Sequence, residues 1–156
     1  MSMNIDVDLK VLDKAFYEEF TLPEYKTPES AGIDIRACIE EPILTIKPNS
    51  VVLVPSGLAY HINSIGICGF LLPRSGLGHK LGIILGNSTG IIDSDYTGQL
   101  YMSVWNRNEL ESIEIERGDR IAQLLFMPVY RANFNVVDEL NTTHRGDKGF
   151  GHTGKQ

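Results

Sequence analysis

Apolar and polar residues alternate along much of this chain. Ile5, Val7, Leu9 and Val11 interleave with Asp6, Asp8 and Lys10. The same period runs through Ile33, Ile35 and Ala37, through Leu100, Met102 and Val104, and through Ile113 and Ile115. Successive side chains of a strand point to opposite faces, so the pattern predicts strands with one covered face. Three continuous apolar runs, at residues 51–54, 65–72 and 121–127, predict more deeply buried strands. Turn signals separate them: Pro48-Asn49, Ser56-Gly57, Asn63-Ser64, Gly86-Asn87 and Arg117-Gly118-Asp119. No long segment repeats with helical period. One short helix is predicted near residues 75–81, after Pro73, although Gly76 and Gly78 weaken it. Many short strands between frequent turns predict an all-β sandwich or barrel.

Composition narrows the class. A chain of 156 residues suits one domain, and 42% hydrophobic with 22% charged residues is ordinary for a globular protein. Lys and Arg number 14 against 20 Asp and Glu, a formal charge of −6. That balance argues against a partner of DNA or RNA recognised by charge alone. It leaves room for a phosphorylated small molecule held by a few local donors. Cys38 and Cys68 sit in apolar surroundings outside any CxxC pattern and read as buried free thiols of a reducing compartment. Residues 1–10 carry Asp6 and Asp8 and no basic-then-apolar leader. No apolar run approaches the roughly 18 residues of a membrane-spanning helix. The expectation is a soluble, cytoplasmic protein without a membrane or nucleic-acid partner. Residues 141–156 contain one large apolar residue, Phe150, among four glycines. Burial cannot order such a segment. The chain therefore divides into a core at 1–140 and a mobile glycine-rich arm at 141–156, either a frayed end or a lid that orders on a ligand.

Three stretches carry candidate chemistry. The first runs from Gly86 through Asn87, Gly90, Ile91, Ile92, Asp93, Asp95 and Tyr96 to Gly98. An isolated pair of carboxylates two apart is commonly a turn. If residues 91–96 are extended, Asp93 and Asp95 share a face. The flanking glycines predict a β-hairpin whose backbone could grip a flat base edge beside Tyr96. The second stretch is Pro73-Arg74-Ser75-Gly76-Leu77-Gly78-His79-Lys80, which offers a guanidinium, a hydroxyl, open backbone N–H groups and a helix start. Those parts suit phosphate oxygens; they also suit a plain helix start with Ser75 as its N-cap. The third, residues 145–155, nearly matches a Walker A loop, but Gln156 stands where Ser or Thr is required and no helix can follow, which rejects a P-loop NTPase. His61, His79, His144 and His152 show no metal spacing, and no GxSxG elbow is present.

Five blocks in order then carry a resemblance. They are Ala31-Gly32-Ile33-Asp34-Ile35-Arg36-Ala37, Pro73-Arg74-Ser75-Gly76-Leu77-Gly78, and Gly90-Ile91-Ile92-Asp93-Ser94-Asp95-Tyr96-Thr97-Gly98-Gln99. Gly118-Asp119-Arg120-Ile121-Ala122-Gln123-Leu124 and Arg145-Gly146-Asp147-Lys148-Gly149-Phe150-Gly151-His152-Thr153-Gly154 complete the set. Together they resemble the five motifs of the trimeric deoxyuridine triphosphate nucleotidohydrolases, the dUTPases. Residues 72–80 and 103–106, with the His152-Thr153-Gly154 ending, are most similar to the bacterial branch. Family members more often carry Ser at the position of His152.

The resemblance implies a distorted jelly-roll fold and a homotrimer with three active sites at subunit interfaces. One subunit would give the first, second and fourth blocks, a neighbour the third, and the remaining subunit the arm. The implied reaction turns dUTP and water into dUMP and pyrophosphate with Mg2+ assistance, keeping uracil out of DNA and supplying dUMP for dTMP synthesis. By the same resemblance Asp93 activates the water, and Arg74, Ser75, Gly76 and Gln123 hold phosphate oxygens. Asn87, Gly90, Ile91 and Ile92 read the uracil edge, and Tyr96 closes off the sugar. Tyr101 adds a backbone contact. Phe150 stacks on the base; Arg145, Gly151, His152 and Thr153 cover the terminal phosphates. Asp34 meets the metal through water only, and Arg36, Asp95 and Arg120 support the site or the trimer. Two alternatives share the scaffold: a dCTP deaminase, which would need a catalytic Glu near the base, and a non-catalytic nucleotide-binding relative, which would lose Asp93 or the arm.

Overall fold

The computed structural model describes residues 4–147 and bears out the all-β expectation. Ten strands form: β1 (Val7–Val11), β2 (Ile33–Arg36), β3 (Ile43–Ile46), β4 (Val51–Ile62), β5 (Ile67–Pro73), β6 (Ile83–Leu85), β7 (Gly90–Ile92), β8 (Gln99–Asn106), β9 (Ile113–Glu116) and β10 (Arg120–Pro128). Two antiparallel four-stranded sheets run β1-β4-β8-β6 and β2-β10-β5-β7, and β3 pairs with β9 in a small third sheet. The inward side chains of both large sheets close one core. Val54, Leu58, Leu85, Met102 and Val104 come from the first sheet, and Ile33, Ile35, Leu71, Ala122 and Leu124 from the second. Each such large apolar side chain contributes about 1.5–3 kcal/mol through burial. Both cysteines are buried and free, as their surroundings predict. Among the described residues, no helix is long and apolar enough to cross a membrane.

Four expectations need correction. First, there are two helices where one was predicted: α1 (Lys14–Glu19) and α2 (Ser75–Lys80). Periodicity cannot reveal a six-residue helix, and α1 is fixed by contacts instead. Asp13 caps it by accepting a hydrogen bond from the Phe16 N–H at 2.9 Å. Phe16 is fully buried, Arg117 lies 4.7 Å from its ring centroid, and the Tyr17 hydroxyl donates to the Ser56 carbonyl at 2.7 Å. Second, Ser75 is not the N-cap of α2. Arg74 holds that position, without a side-chain capping bond.

Third, β7 and β8 do not form a hairpin. β7 pairs with β5 in one sheet and β8 with β4 and β6 in the other, so residues 93–98 cross between sheets. Residues 91–96 are not extended throughout. The strand ends at Ile92, and the Tyr96 N–H donates to the Asp93 carbonyl at 3.1 Å, closing a turn. Fourth, the run at 51–54 is not buried on both faces. Val54 is buried, but Val51 is 55% and Leu53 66% exposed. They stand opposite Trp105 and Ser103 of β8, so this part of the sheet's outer face carries exposed apolar side chains.

Candidate active site

The sequence-predicted residues gather in two separate places. The first is a recess of about 440 Å³ lined by Asp34 from β2, Gln123 from β10, and Arg74, Ser75 and Gly76 where β5 passes into α2. Strand pairing explains the gathering. Gln123 lies opposite Asp34 on one side and Leu72 on the other, which brings the first, second and fourth blocks together. Asp34 organises the cluster. One carboxylate oxygen meets Arg74 Nε at 2.9 Å and the other meets Arg120 Nη1 at 3.2 Å. Arg74 also donates through Nη1 to the Arg120 carbonyl at 3.0 Å. A guanidinium held at two of its nitrogens has lost little freedom still to lose when an anion arrives.

Around that guanidinium the chain leaves donors available. Ser75 Oγ is not consumed in capping, and a Cβ on Gly76 would meet nothing within 4 Å. The fold alone therefore does not require glycine there, and close approach by a ligand would. Gln123 donates through Nε2 to the Pro73 carbonyl at 3.0 Å, which fixes the amide at the rim. Lys80, in the last turn of α2, also lines the recess; its charge at the end of the second candidate stretch was the available signal, but no spacing rule gave it a role. Guanidinium, hydroxyl, ammonium and backbone N–H groups around one hollow are the parts of a phosphate site.

The second place is a recess of about 240 Å³ lined by Leu71, Asn87, Gly90, Ile91, Ile92, Asp93, Tyr96 and Tyr101, together with Gln99 and Leu100. Asn87 is set by a tight turn in which the Ser88 N–H donates to the Leu85 carbonyl at 2.9 Å and Ser88 adopts φ 60°. Tyr96 donates its hydroxyl to the Gln99 carbonyl at 2.8 Å. Asp93 is exposed and also borders a further hollow with Cys68, Ser94, Asp95 and Arg131. The Cys68 thiol is pushed up from its ordinary value, first by burial and then by the negative charge of Asp93. The register that joins Gly69 to Ile92 carries on toward this pair, a neighbour of Asp93 that sequence reasoning missed.

The two recesses share no lining residue: the first opens where β2, β10 and the start of α2 meet, the second at the β7 edge of the sheet beside the start of β8. Asp34 and Gln123 are half-buried on the outer face of the β2-β10-β5-β7 sheet, whereas the second recess takes both Ile91 and Ile92, which point to opposite faces of its edge strand. Arg145 lies on the exposed stretch after β10 and lines neither recess. Phe150, Gly151, His152 and Thr153 fall outside the described residues.

Two hollows, one lined by phosphate-binding groups and one by backbone beside a tyrosine, suit the class of proteins that handle a phosphorylated small molecule. Comparison with known proteins narrows that class. A family model described as dUTPase matches residues 18–154. A deoxyuridine 5'-triphosphate nucleotidohydrolase of Tolumonas auensis is 54% identical over 149 residues, covering 96% of this chain and 97% of the relative. One from Aeromonas salmonicida is 53% identical over 154 residues, covering 99% and 100%. Among solved structures, the Staphylococcus bacteriophage 80alpha dUTPase with dUPNHPP superposes with a TM-score of 0.83 at 27% identity, covering 96% of this chain and 98% of that one. The chain belongs to the dUTPase family.

Proposed function

We propose that this protein hydrolyses dUTP to dUMP and pyrophosphate, at sites shared between the subunits of a homotrimer. The observation that carries the reading is the preset Arg74 guanidinium, held by Asp34 and the Arg120 carbonyl beside Ser75 and Gly76, in a chain related over nearly its full length to enzymes of that name. Arg74, Ser75, the Gly76 N–H and Gln123 bind phosphate oxygens. Asn87 and the backbone of Gly90, Ile91 and Ile92 bind the uracil edge, with a further backbone contact at Tyr101. Cytosine reverses a donor and an acceptor there, which strands buried polar groups at about 1–3 kcal/mol each. Thymine adds a methyl that a narrow slot rejects. Tyr96 packs against the deoxyribose.

Asp93 orients a water and takes its proton as the water oxygen bonds to the α-phosphorus. The bond to the bridging oxygen breaks, and pyrophosphate leaves. A carboxylate is a weak base, so orientation and charge neutralisation supply most of the acceleration. The lack of any shared lining residue between the two recesses supports assembly. A nucleotide whose base sits in one recess can draw its phosphate site from a second subunit. The apolar outer face at Val51, Leu53 and Tyr101 supports association as well. Arg145, with Phe150, Gly151, His152 and Thr153, closes over the substrate as part of the arm at 141–156.

The donor set fits a cation that arrives on the substrate. Among the described residues, no three His, Cys, Asp or Glu side chains gather around a common point. Both Asp34 oxygens are engaged by arginines, which leaves a water as its link to an ion. When bound, Mg2+ supplies charge neutralisation on the triphosphate. Buried free thiols support a reducing, cytoplasmic setting. Pyrophosphate release measured on dUTP, dCTP, dTTP and UTP tests the whole reading. Release from dUTP far above the other three is expected. Equal release, or none, overturns it.

A further inference from the structure

We propose that Gly98, which touches no recess, is a positioning residue that sets the sugar selectivity of the site through Tyr96. The inference rests on the reading of the recess at Asn87–Tyr101 as the uracil and deoxyribose site. The backbone does not explain this glycine. Its φ lies outside the left-handed region, and it is exposed, so neither strain nor core packing demands it. Its neighbour does. A Cβ built on Gly98 would stand 2.6 Å from Tyr96 Oη, 2.7 Å from Cζ and 3.0 Å from Cε2. The missing side chain is the space in which the Tyr96 ring lies.

A second contact holds the ring there, the Tyr96 hydroxyl donating to the Gln99 carbonyl at 2.8 Å. Without either, a half-exposed tyrosine on a turn would sample several rotamers. With both, its face is fixed as one wall of the recess that Asn87, Gly90 and Ile92 also line. A wall excludes a ribose 2′-hydroxyl only if it cannot swing aside. Selectivity against one extra hydroxyl is therefore set by how firmly this ring is held as much as by its presence. The sequence hid this relation because residues two apart on a strand share a face without lying on one another; here residues 96–98 leave the turn, and the ring folds back over the chain.

The obstacle that a Cβ would meet is the far end of a movable side chain, so Gly98→Ala displaces Tyr96 and leaves the backbone in place. The expected result is a protein of the same oligomeric state, melting within a few degrees of the wild type. Its ratio of kcat/KM for UTP to that for dUTP rises about tenfold or more. The rise comes from weaker use of dUTP and easier entry of UTP. A loss on both substrates in equal proportion would mark a general structural effect and overturn the assignment. So would an unchanged ratio in a wild type that itself prefers dUTP. A wild type inactive on dUTP overturns the reading of the recess and the inference with it. Tyr96→Phe is the second variant, needed if Gly98→Ala does not fold. It removes the hydroxyl that anchors the ring to Gln99 and is expected to shift the ratio in the same direction by a smaller factor. An unchanged preference in that variant also counts against the proposal.

Discussion

Asp93 stands at the end of β7, exposed, its carbonyl tied into the turn that follows and its side chain bordering two hollows. Its backbone is fixed while its carboxylate stays available to solvent, an arrangement suited to holding a water. Replacing it by Asn keeps the shape and removes the proton acceptor. Asp93→Asn is expected to lower kcat for dUTP by about a hundredfold or more while the protein still binds a non-hydrolysable dUTP analogue; single-turnover kinetics and calorimetry check the two halves. Elsewhere, burial holds protons on. The Cys38 thiol is pushed from its ordinary 9.0 up to about 11 by burial, then by Asp13, and burial raises the Tyr17 and Tyr60 phenols as well. The folded chain keeps the Cys38 proton more tightly than the unfolded one, so that contribution to stability is complete below pH 9.0 and is lost as pH rises through about 11, while the two phenols begin to lose theirs only above pH 10.0. Melting temperatures taken across that window are expected to fall, and Cys38→Ala to make the fall shallower.

Elements show how much of this molecule its residue order reveals. Alternation marks β2, β8 and β9 well, because each has one face on the core, and Ile33, Ile35, Met102 and Ile115 are buried as the period requires. It fails at residues 51–54, where four apolar residues share a strand with one dry face and one outward face. Local pattern records hydrophobicity and cannot say what covers it. It fails also at α1, whose six residues hold together through Asp13, Arg117 and Ser56 rather than through period. The turn at residues 93–96 was misread for a related reason. Glycines on both sides signal a reversal but not which sheet the chain enters next. The phosphate cluster was more legible. Its blocks lie far apart in sequence, yet each carries a charge or small residue that a β-core does not need. After β10 no helix or strand forms through residue 147, and Tyr130, Phe134, Val136 and Leu140 are almost wholly exposed. Of the residues that a deletion of 143–156 removes, the described ones, 143–147, belong to neither large sheet. The truncated protein is expected to keep its melting temperature and oligomeric state but to lose most of its kcat/KM for dUTP. Full activity would make the arm a bystander.

At the scale of the whole molecule, the separation of the two recesses gives a test that no single variant offers. Arg74→Ala damages the recess beside α2, and Asp93→Asn the recess at the end of β7. Each variant alone is expected to be nearly inactive. If one active site draws these two residues from different subunits, unfolding the variants together and refolding them as mixed trimers pairs intact halves at about a quarter of the sites under random assembly. Activity should therefore reappear in the mixture and be absent when the same two preparations are refolded apart and combined afterwards. A site contained within one chain would stay silent in both mixtures.

A binding site divided between subunits would tie turnover to mass action. Below the dissociation constant of such an assembly, each chain would keep its sandwich intact and yet hold only half of what a nucleotide needs. Specific activity should then decline on dilution with no change in circular dichroism, and dUTP, by bridging protomers, should push the onset of that decline to lower protein concentration.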